Sequence, residues 1–180
     1  PQGFGGEDSE DVAAFDAEGD GDLDLLFVSE DTDLHEFFLN DGKGNFSLAP
    51  FQFPKPANSN ALLTLDVNGD SFEDVIIGQN GNNALYLNQQ NGSFLLDRTE
   101  ILPLNTDWTQ DLKAGDLDGD GDLDLVEGCD AGNTHIYFYE NGAFVAGDYR
   151  LPADLDSLET RKVLLEDVDA DGDLDIFLCN

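Results

Sequence analysis

Methionine is absent, tryptophan occurs once, cysteine twice, and only 7 of the 180 residues are Lys or Arg. Each scarcity excludes something. Seven basic residues against 40 acidic ones leave a formal net charge of -33, the wrong sign for a chain that must neutralise phosphates, so no nucleic-acid partner is expected. Cys129 and Cys179 are too few for a disulfide scaffold and lack metal-ligand spacing. No apolar run approaches the ~18 residues a spanning helix needs, so this segment is not expected to be transmembrane. Neither end carries a signal-peptide pattern, and a chain starting at Pro1 with no Met anywhere reads as processed or excised from something longer. There is no G-x-S-x-G, no phosphate-cradling glycine loop and no Cys-His pairing, so the expectation is a protein that is not an enzyme. Against these absences, 40% of residues are hydrophobic and 13 are Phe, enough for a packed core.

The acidity is concentrated. DAEGDGDLD starts at Asp16, DVNGDSFED at Asp66, DLDGDGDLD at Asp116 and DVDADGDLD at Asp167, so the starts fall 50, 50 and 51 residues apart. A period of this size marks a repeat architecture. These 36 residues hold 19 of the 40 acids, a density that repels itself unless a cation neutralises it. Oxygen side chains at loop positions 1, 3 and 5, with a turn at position 6, direct several oxygens to one centre. Position 9 is Asp in every loop (Asp24, Asp74, Asp124, Asp175), and position 7 would lend its backbone carbonyl. Oxygen donors without His or Cys suit a hard cation, and a flexible oxygen cage suits Ca²⁺ better than Mg²⁺. An Asp/Gly-rich turn needs no metal, but four such turns in register favour the metal reading. An EF-hand loop would need an acid at position 12, where Phe27, Ile77, Glu127 and Leu178 stand, and helices on both sides.

The flanks read as strands. In the second repeat, Ala61 to Asp66 enters the loop, Glu73 to Gly78 leaves it, Ala84 to Asn88 alternates as a third strand, and Phe94 to Asp97 follows a hairpin turn. The first and third repeats show the same order. The expected fold is therefore all-β: a β-propeller of four-stranded antiparallel blades with one calcium loop per blade, about 3.5 blades in all. Residues 1–180 form a single partial propeller, with blades at approximately 11–60, 61–110 and 111–161 and a half blade at 162–180. Phe37, Phe38, Tyr86, Tyr137, Phe138 and Tyr139 are read as core between blades. His35 and His135 fall one residue out of register when third strands are aligned on Asn40 and Asn141, so they mark no shared site.

These loops, each followed by an apolar strand and by hairpins such as Gly44-Asn45-Phe46, Asn91-Gly92-Ser93-Phe94 and Asn141-Gly142-Ala143-Phe144, resemble FG-GAP/VCBS repeats. That family forms calcium-loop blades in the propeller of integrin α subunits and in many secreted proteins. The resemblance implies up to four Ca²⁺, each between the first two strands of a blade. Its ligands would be Asp116, Asp118, Asp120, Asp124 and the carbonyl of Asp122 in the third loop. In the second they would be Asp66, Asn68, Asp70, Asp74 and the carbonyl of Phe72, and in the fourth Asp167, Asp169, Asp171, Asp175 and the carbonyl of Asp173. The first offers Asp16, Asp20, Asp24 and the carbonyl of Asp22, but Glu18 departs from the pattern by one methylene. Ser71 stands where Gly turns the loop, so sites one and two are expected to be the weaker ones.

By the same resemblance the function would be a non-catalytic, calcium-stabilised binding or adhesion module, extracellular (secreted or at a cell surface), with a protein or glycan partner. The alternatives are the propeller portion of a secreted carbohydrate- or lipid-active enzyme, and a structural subunit of a calcium-dependent assembly, with further blades of a parent chain or other copies closing the ring. Trp108 and Tyr149 would be the aromatic candidates for sugar stacking. The sequons at Asn45 and Asn91 would be possible N-glycan sites, since both fall at turns. Cys129 and Cys179, on second strands of consecutive blades, are too far apart to bond.

Overall fold

A computed structural model describes residues 8–30, 34–54, 58–130, 134–147 and 158–180. Tyr149 lies outside them. Among the described residues there is no helix, and so none long and apolar enough to cross a membrane. Among the described residues, fourteen strands form three four-stranded antiparallel sheets and one two-stranded sheet. The first sheet is β1 (Ser9–Phe15), β2 (Asp24–Ser29), β3 (Glu36–Asn40) and β4 (Phe46–Leu48). The second is β5 (Ser59–Leu65), β6 (Asp74–Gln79), β7 (Ala84–Asn88) and β8 (Phe94–Leu96). The third is β9 (Trp108–Gly115), β10 (Asp124–Asp130), β11 (His135–Glu140) and β12 (Ala143–Ala146). In the two-stranded sheet, β13 (Lys162–Glu166) pairs with β14 (Asp175–Cys179). Strands neighbour one another in chain order throughout, so each acidic stretch is the connection between the first and second strands of its sheet.

The chain divides into two compact units, one comprising residues 1–79 and 84–97, the other 80–83 and 98–180. In the first unit the core is aromatic: Phe15, Phe37, Phe53, Tyr86 and Phe94 are buried together with Leu26, Val28, Val75 and Ile77. Phe53, from the connection between β4 and β5, lies 5.0 Å from Phe94, 5.1 Å from Tyr86 and 5.8 Å from Phe37, mostly edge to face or tilted. Period-2 alternation decides which aromatics go in. Phe37 is fully buried while its neighbour Phe38 points to the other face, where it meets Phe27 edge to face. The second unit is aliphatic by comparison, with Val126, Ile136 and Val163 packed against Leu117, Phe138, Leu165, Ile176 and Leu178.

A bulge recurs where first and second strands pair. The register slips between Ser9 and Asp11, between Ser59 and Ala61, and opposite Gly128 and Cys129 in the third sheet. An extra residue re-aims the side chains beside it. Asp11 thereby accepts a 3.0 Å hydrogen bond from the Leu62 amide of β5, and Asp111 accepts one of 2.8 Å from the Val163 amide of β13. Each is a carboxylate on one first strand holding the next first strand. Close approach in the second unit also demands Gly128, where a Cβ would sit 2.9 Å from methyl groups of both Thr160 and Val163. Cys129 and Cys179 are both free thiols, the first buried and the second exposed.

Candidate functional site

Each acidic loop is built by the same internal bonds. The carboxylate at position 1 accepts from the backbone amides of later residues: Asp16 from Gly19, Asp20 and Gly21, Asp66 from Gly69, Asp70 and Ser71, Asp116 from Gly119 and Gly121, Asp167 from Asp171 and Gly172, all at 2.7–3.2 Å. The carboxylate at position 5 accepts from the amide at position 7 in all four (Asp20 from Asp22, Asp70 from Phe72, Asp120 from Asp122, Asp171 from Asp173). At position 3, Asn68, Asp118 and Asp169 each accept from the amide two residues on. Folding the chain around its own carboxylates forces φ positive twice per loop. Position 4 has φ of 74°, 75°, 80° and 62°, at Gly19, Gly69, Gly119 and Ala170, and position 6 has 90°, 72°, 95° and 101°, at Gly21, Ser71, Gly121 and Gly172.

Two of those eight positions are not glycine. Ser71 was legible as a departure in sequence, but Ala170 was missed, although Gly at position 4 of the other three loops was the available signal. A side chain held in the left-handed region costs on the order of 1 kcal/mol, so the fourth loop bears the same kind of strain as the second. The third loop alone combines Asp at positions 1, 3, 5, 7 and 9 with glycine at both strained positions.

The position-9 aspartates have a role that spacing did not disclose. Asp24, Asp74 and Asp124 are almost wholly buried at the start of the second strand. One oxygen accepts from the amide at loop position 2 (Ala17, Val67, Leu117, at 3.0, 3.1 and 2.8 Å). The other accepts from the third strand (Asn40, Asn88, Tyr139, at 2.9, 2.8 and 3.0 Å). Each is a clasp tying loop, second strand and third strand together. Burial pushes these three carboxyls above the usual range, and the two amide bonds pull the other way. The clasp also fixes the equivalence of third strands: Tyr139, rather than Asn141, occupies the place of Asn40 and Asn88, and His35 and His135 remain one residue apart in that alignment. Asp175, in the two-stranded sheet, is less buried and accepts from Val168 at 3.2 Å.

Two groups of three acids have ligand oxygens within 4.8 Å of one another: Asp116, Asp118 and Asp120 in the third loop, and Asp167, Asp169 and Asp175 in the fourth. Oxygen donors converging at that spacing fit a hard cation. Among the described residues no such acidic triad forms in the first two loops. In the second, position 3 is the amide Asn68. In the first, Glu18 and Asp22 lie against turns instead, Glu18 beside Gly92 between β7 and β8, and Asp22 beside Gly42 between β3 and β4. Partial cover, and then the charges of Asp24, Asp20 and Asp16, push the Glu18 carboxyl up.

Glu127, the acid at position 12 of the third loop, lies on β10 outside the loop. Fully buried, it accepts from Asn83 (2.9 Å), Asn105 (2.8 Å) and the Thr109 hydroxyl, and Asn105 also donates to Tyr137. Phe27, Ile77 and Leu178 fill its place in the other repeats, so this is a core position turned polar and fully partnered. His135 pairs with Asp107 at 2.7 Å and stacks on Tyr137. Asn45 and Asn91 both sit in exposed turns joining third and fourth strands.

An FG-GAP-like repeat family model matches residues 16–77 and again 66–127, together more than half of the chain. The chain belongs to the FG-GAP-like repeat family. Its two matches are offset by 50 residues and each runs from one acidic loop through the next. A search of curated proteins returned no match.

Proposed function

We propose that the chain is a calcium-stabilised, non-catalytic binding or adhesion module of the extracellular space, its sheets serving as propeller blades and its acidic loops as calcium sites. The observation that carries this reading is the convergence of Asp116, Asp118 and Asp120 oxygens within 4.8 Å in a loop of wholly oxygen donors, repeated in the fourth loop by Asp167, Asp169 and Asp175. Family membership supports the calcium loops, and extracellular millimolar Ca²⁺ would saturate even weak sites of this type. The third loop would bind most tightly. The first would be weakened by Glu18, the second by Asn68 and Ser71, and the fourth by Ala170.

The ion would act structurally. Nineteen loop carboxylates repel one another without it, and binding to the folded chain alone raises stability by mass action. Thermal unfolding in EDTA and in millimolar CaCl₂ tests this: the midpoint rises with calcium, and an unchanged midpoint overturns the metal reading. The partner would be a protein or glycan held by connections remote from the loops. Of the two sequons, Asn45 already donates its amide nitrogen to Asp41 at 2.9 Å, whereas Asn91 presents its oxygen to Ser93, so Asn91 is the better glycan acceptor.

One observation favours an assembly subunit as the second reading. The two-stranded sheet exposes Leu164 and Phe177, cross-strand partners on one face, at 52% and 44%. An apolar face of this kind is normally covered. Size-exclusion chromatography with and without chelator separates the two readings, because only an assembly shrinks to a smaller species when calcium is removed.

A further inference from the structure

The chain contains four Asn-Gly pairs: Asn68-Gly69, Asn80-Gly81, Asn91-Gly92 and Asn141-Gly142. In such a pair the glycine amide nitrogen, unhindered by a Cβ, can attack the asparagine side-chain carbonyl carbon. A C–N bond forms, the side-chain nitrogen leaves as ammonia, and water then opens the cyclic imide to aspartate or isoaspartate. Overall one water is consumed and one ammonia released. By sequence alone the four pairs are equivalent. We propose that the fold makes Asn141 the site of spontaneous deamidation and protects the other three.

The distinction lies in the attacking nitrogen. It must lose its proton to solvent and swing toward the side chain, and a hydrogen bond opposes both. The Gly69 amide donates to Asp66 at 2.8 Å within the second acidic loop, and the Asn68 side-chain oxygen is itself held by the Asp70 amide at 2.9 Å. Gly81 donates to the Asp107 carbonyl at 3.1 Å, and Asn80 bridges to Trp108. Gly92 is buried, and a Cβ added there would stand 3.2 Å from the Glu18 carboxylate, so base cannot reach it readily. Gly142 alone of the four combines exposure with an unbonded amide: both it and Asn141 are exposed, and no hydrogen bond is made by its amide among the described residues. With φ of 52° at Asn141 and 87° at Gly142, the pair forms a two-residue turn between Glu140 and Ala143, whose central amide is left to solvent.

The product would matter locally. Isoaspartate adds a methylene to the backbone of a turn whose two-residue length sets the pairing of Tyr139 with Phe144 and of Glu140 with Ala143. The protection of Asn68 is independent of any bound ion, since the bonds that hold it are made by the chain alone. It keeps the one amide among the candidate ligands from becoming a carboxylate.

Incubation of the folded protein at mildly alkaline pH, followed by peptide mapping for the amide-to-acid mass gain, tests the inference. Asn141 should react faster than Asn68 and Asn80 by about tenfold or more, the protection one net hydrogen bond confers, and faster than Asn91, whose glycine is buried. The same incubation in concentrated urea should bring the four rates together. A folded-state rate at Asn68, Asn80 or Asn91 equal to that at Asn141 would overturn the proposal, and so would a difference that persists in urea.

Discussion

Replacing Asp74 by Ala separates two roles that the acidic loops superimpose. As a candidate ligand, Asp74 should matter only when a cation is bound; as a clasp, it should matter always. Its two oxygens accept from Asn88 at 2.8 Å and from Val67 at 3.1 Å, all three residues being buried. Truncation leaves two buried amides without acceptors, at about 1–3 kcal/mol each. Against this, removal of the carboxylate relieves the desolvation that raises its pKa, which offsets part of the loss. A net destabilisation of about 3 kcal/mol follows, a large share of the ~5–15 kcal/mol that holds a typical domain together.

The measurement is urea unfolding followed by circular dichroism in EDTA, with Asp70→Ala as the comparison. Asp70 accepts from the Phe72 amide in an exposed loop, where water can replace it, so its loss in EDTA should cost under about 1 kcal/mol. Asp74→Asn should fall between, because an amide can accept at one oxygen while turning its own donor toward the second amide. Hydrogen exchange at the Asn88 amide supplies a local readout and should accelerate in Asp74→Ala. If Asp74→Ala matches the parent in EDTA and differs only with calcium, the clasp is not a structural element and the argument fails.

Three further outcomes are expected. Ala170→Gly and Ser71→Gly should each stabilise the protein by up to about 1 kcal/mol by relieving φ of 62° and 72°, as thermal midpoints in EDTA would show; a loss in either would mean that its loop is not held in the left-handed region. In the folded protein a thiol reagent should modify exposed Cys179 well before Cys129, whose ionisation burial and the nearby Glu127 both oppose; equal rates would place Cys129 at the surface. Burial holds His35 down to about 4 from 6.5, so the unfolded chain takes up the proton first as pH falls. Stability owed to neutral His35 is therefore full above pH 6.5, declines between 6.5 and 4 by at most about 3 kcal/mol, and is level below; His35→Asn, which keeps an acceptor for the Ser29 amide, should flatten that slope relative to the parent, and an identical slope would refute it.

Repetition made the strands legible. A loop that recurs every 50 residues locates the strands on either side of it, and the third strand of the second repeat, Ala84–Asn88, lies where alternation and the Asn-Gly turn put it. Spacing alone implies convergence of the position 1, 3 and 5 acids, and they converge in the third loop, whereas in the fourth the group is formed by positions 1, 3 and 9. What single-residue spacing could not convey was competition for the same oxygen. Asp24, Asp74 and Asp124 are ninth-position candidate ligands whose carboxylates also accept from the amides of Asn40, Asn88 and Tyr139, fifteen or so residues away. Phe53 was hidden for a related reason: it stands in a connection, outside any periodic pattern, and only the packing of two sheets gives it a core to enter. Glu127 stood in plain view as an acid at an apolar repeat position, but its partners Asn83, Asn105 and Thr109 come from three separate segments.

A longer period underlies the shorter one. The carboxylate that reaches from one first strand to the next occurs at Asp11 and Asp111, 100 residues apart, while the corresponding residue of the second repeat, opposite Gly78 as Asp11 is opposite Val28, is Ala61. Both linkages fall inside a compact unit, the first joining β1 to β5 and the second β9 to β13. Asp111 is buried and also draws Lys113 to 3.0 Å and Lys162 to 3.6 Å, so three groups depend on one carboxylate. Alanine at position 61 cannot accept a hydrogen bond through its side chain, so this form of linkage operates between the first and second sheets and between the third and the two-stranded sheet. The first and second sheets, and likewise the third and the two-stranded sheets, are thus joined by a carboxylate-to-amide bond inside one compact unit.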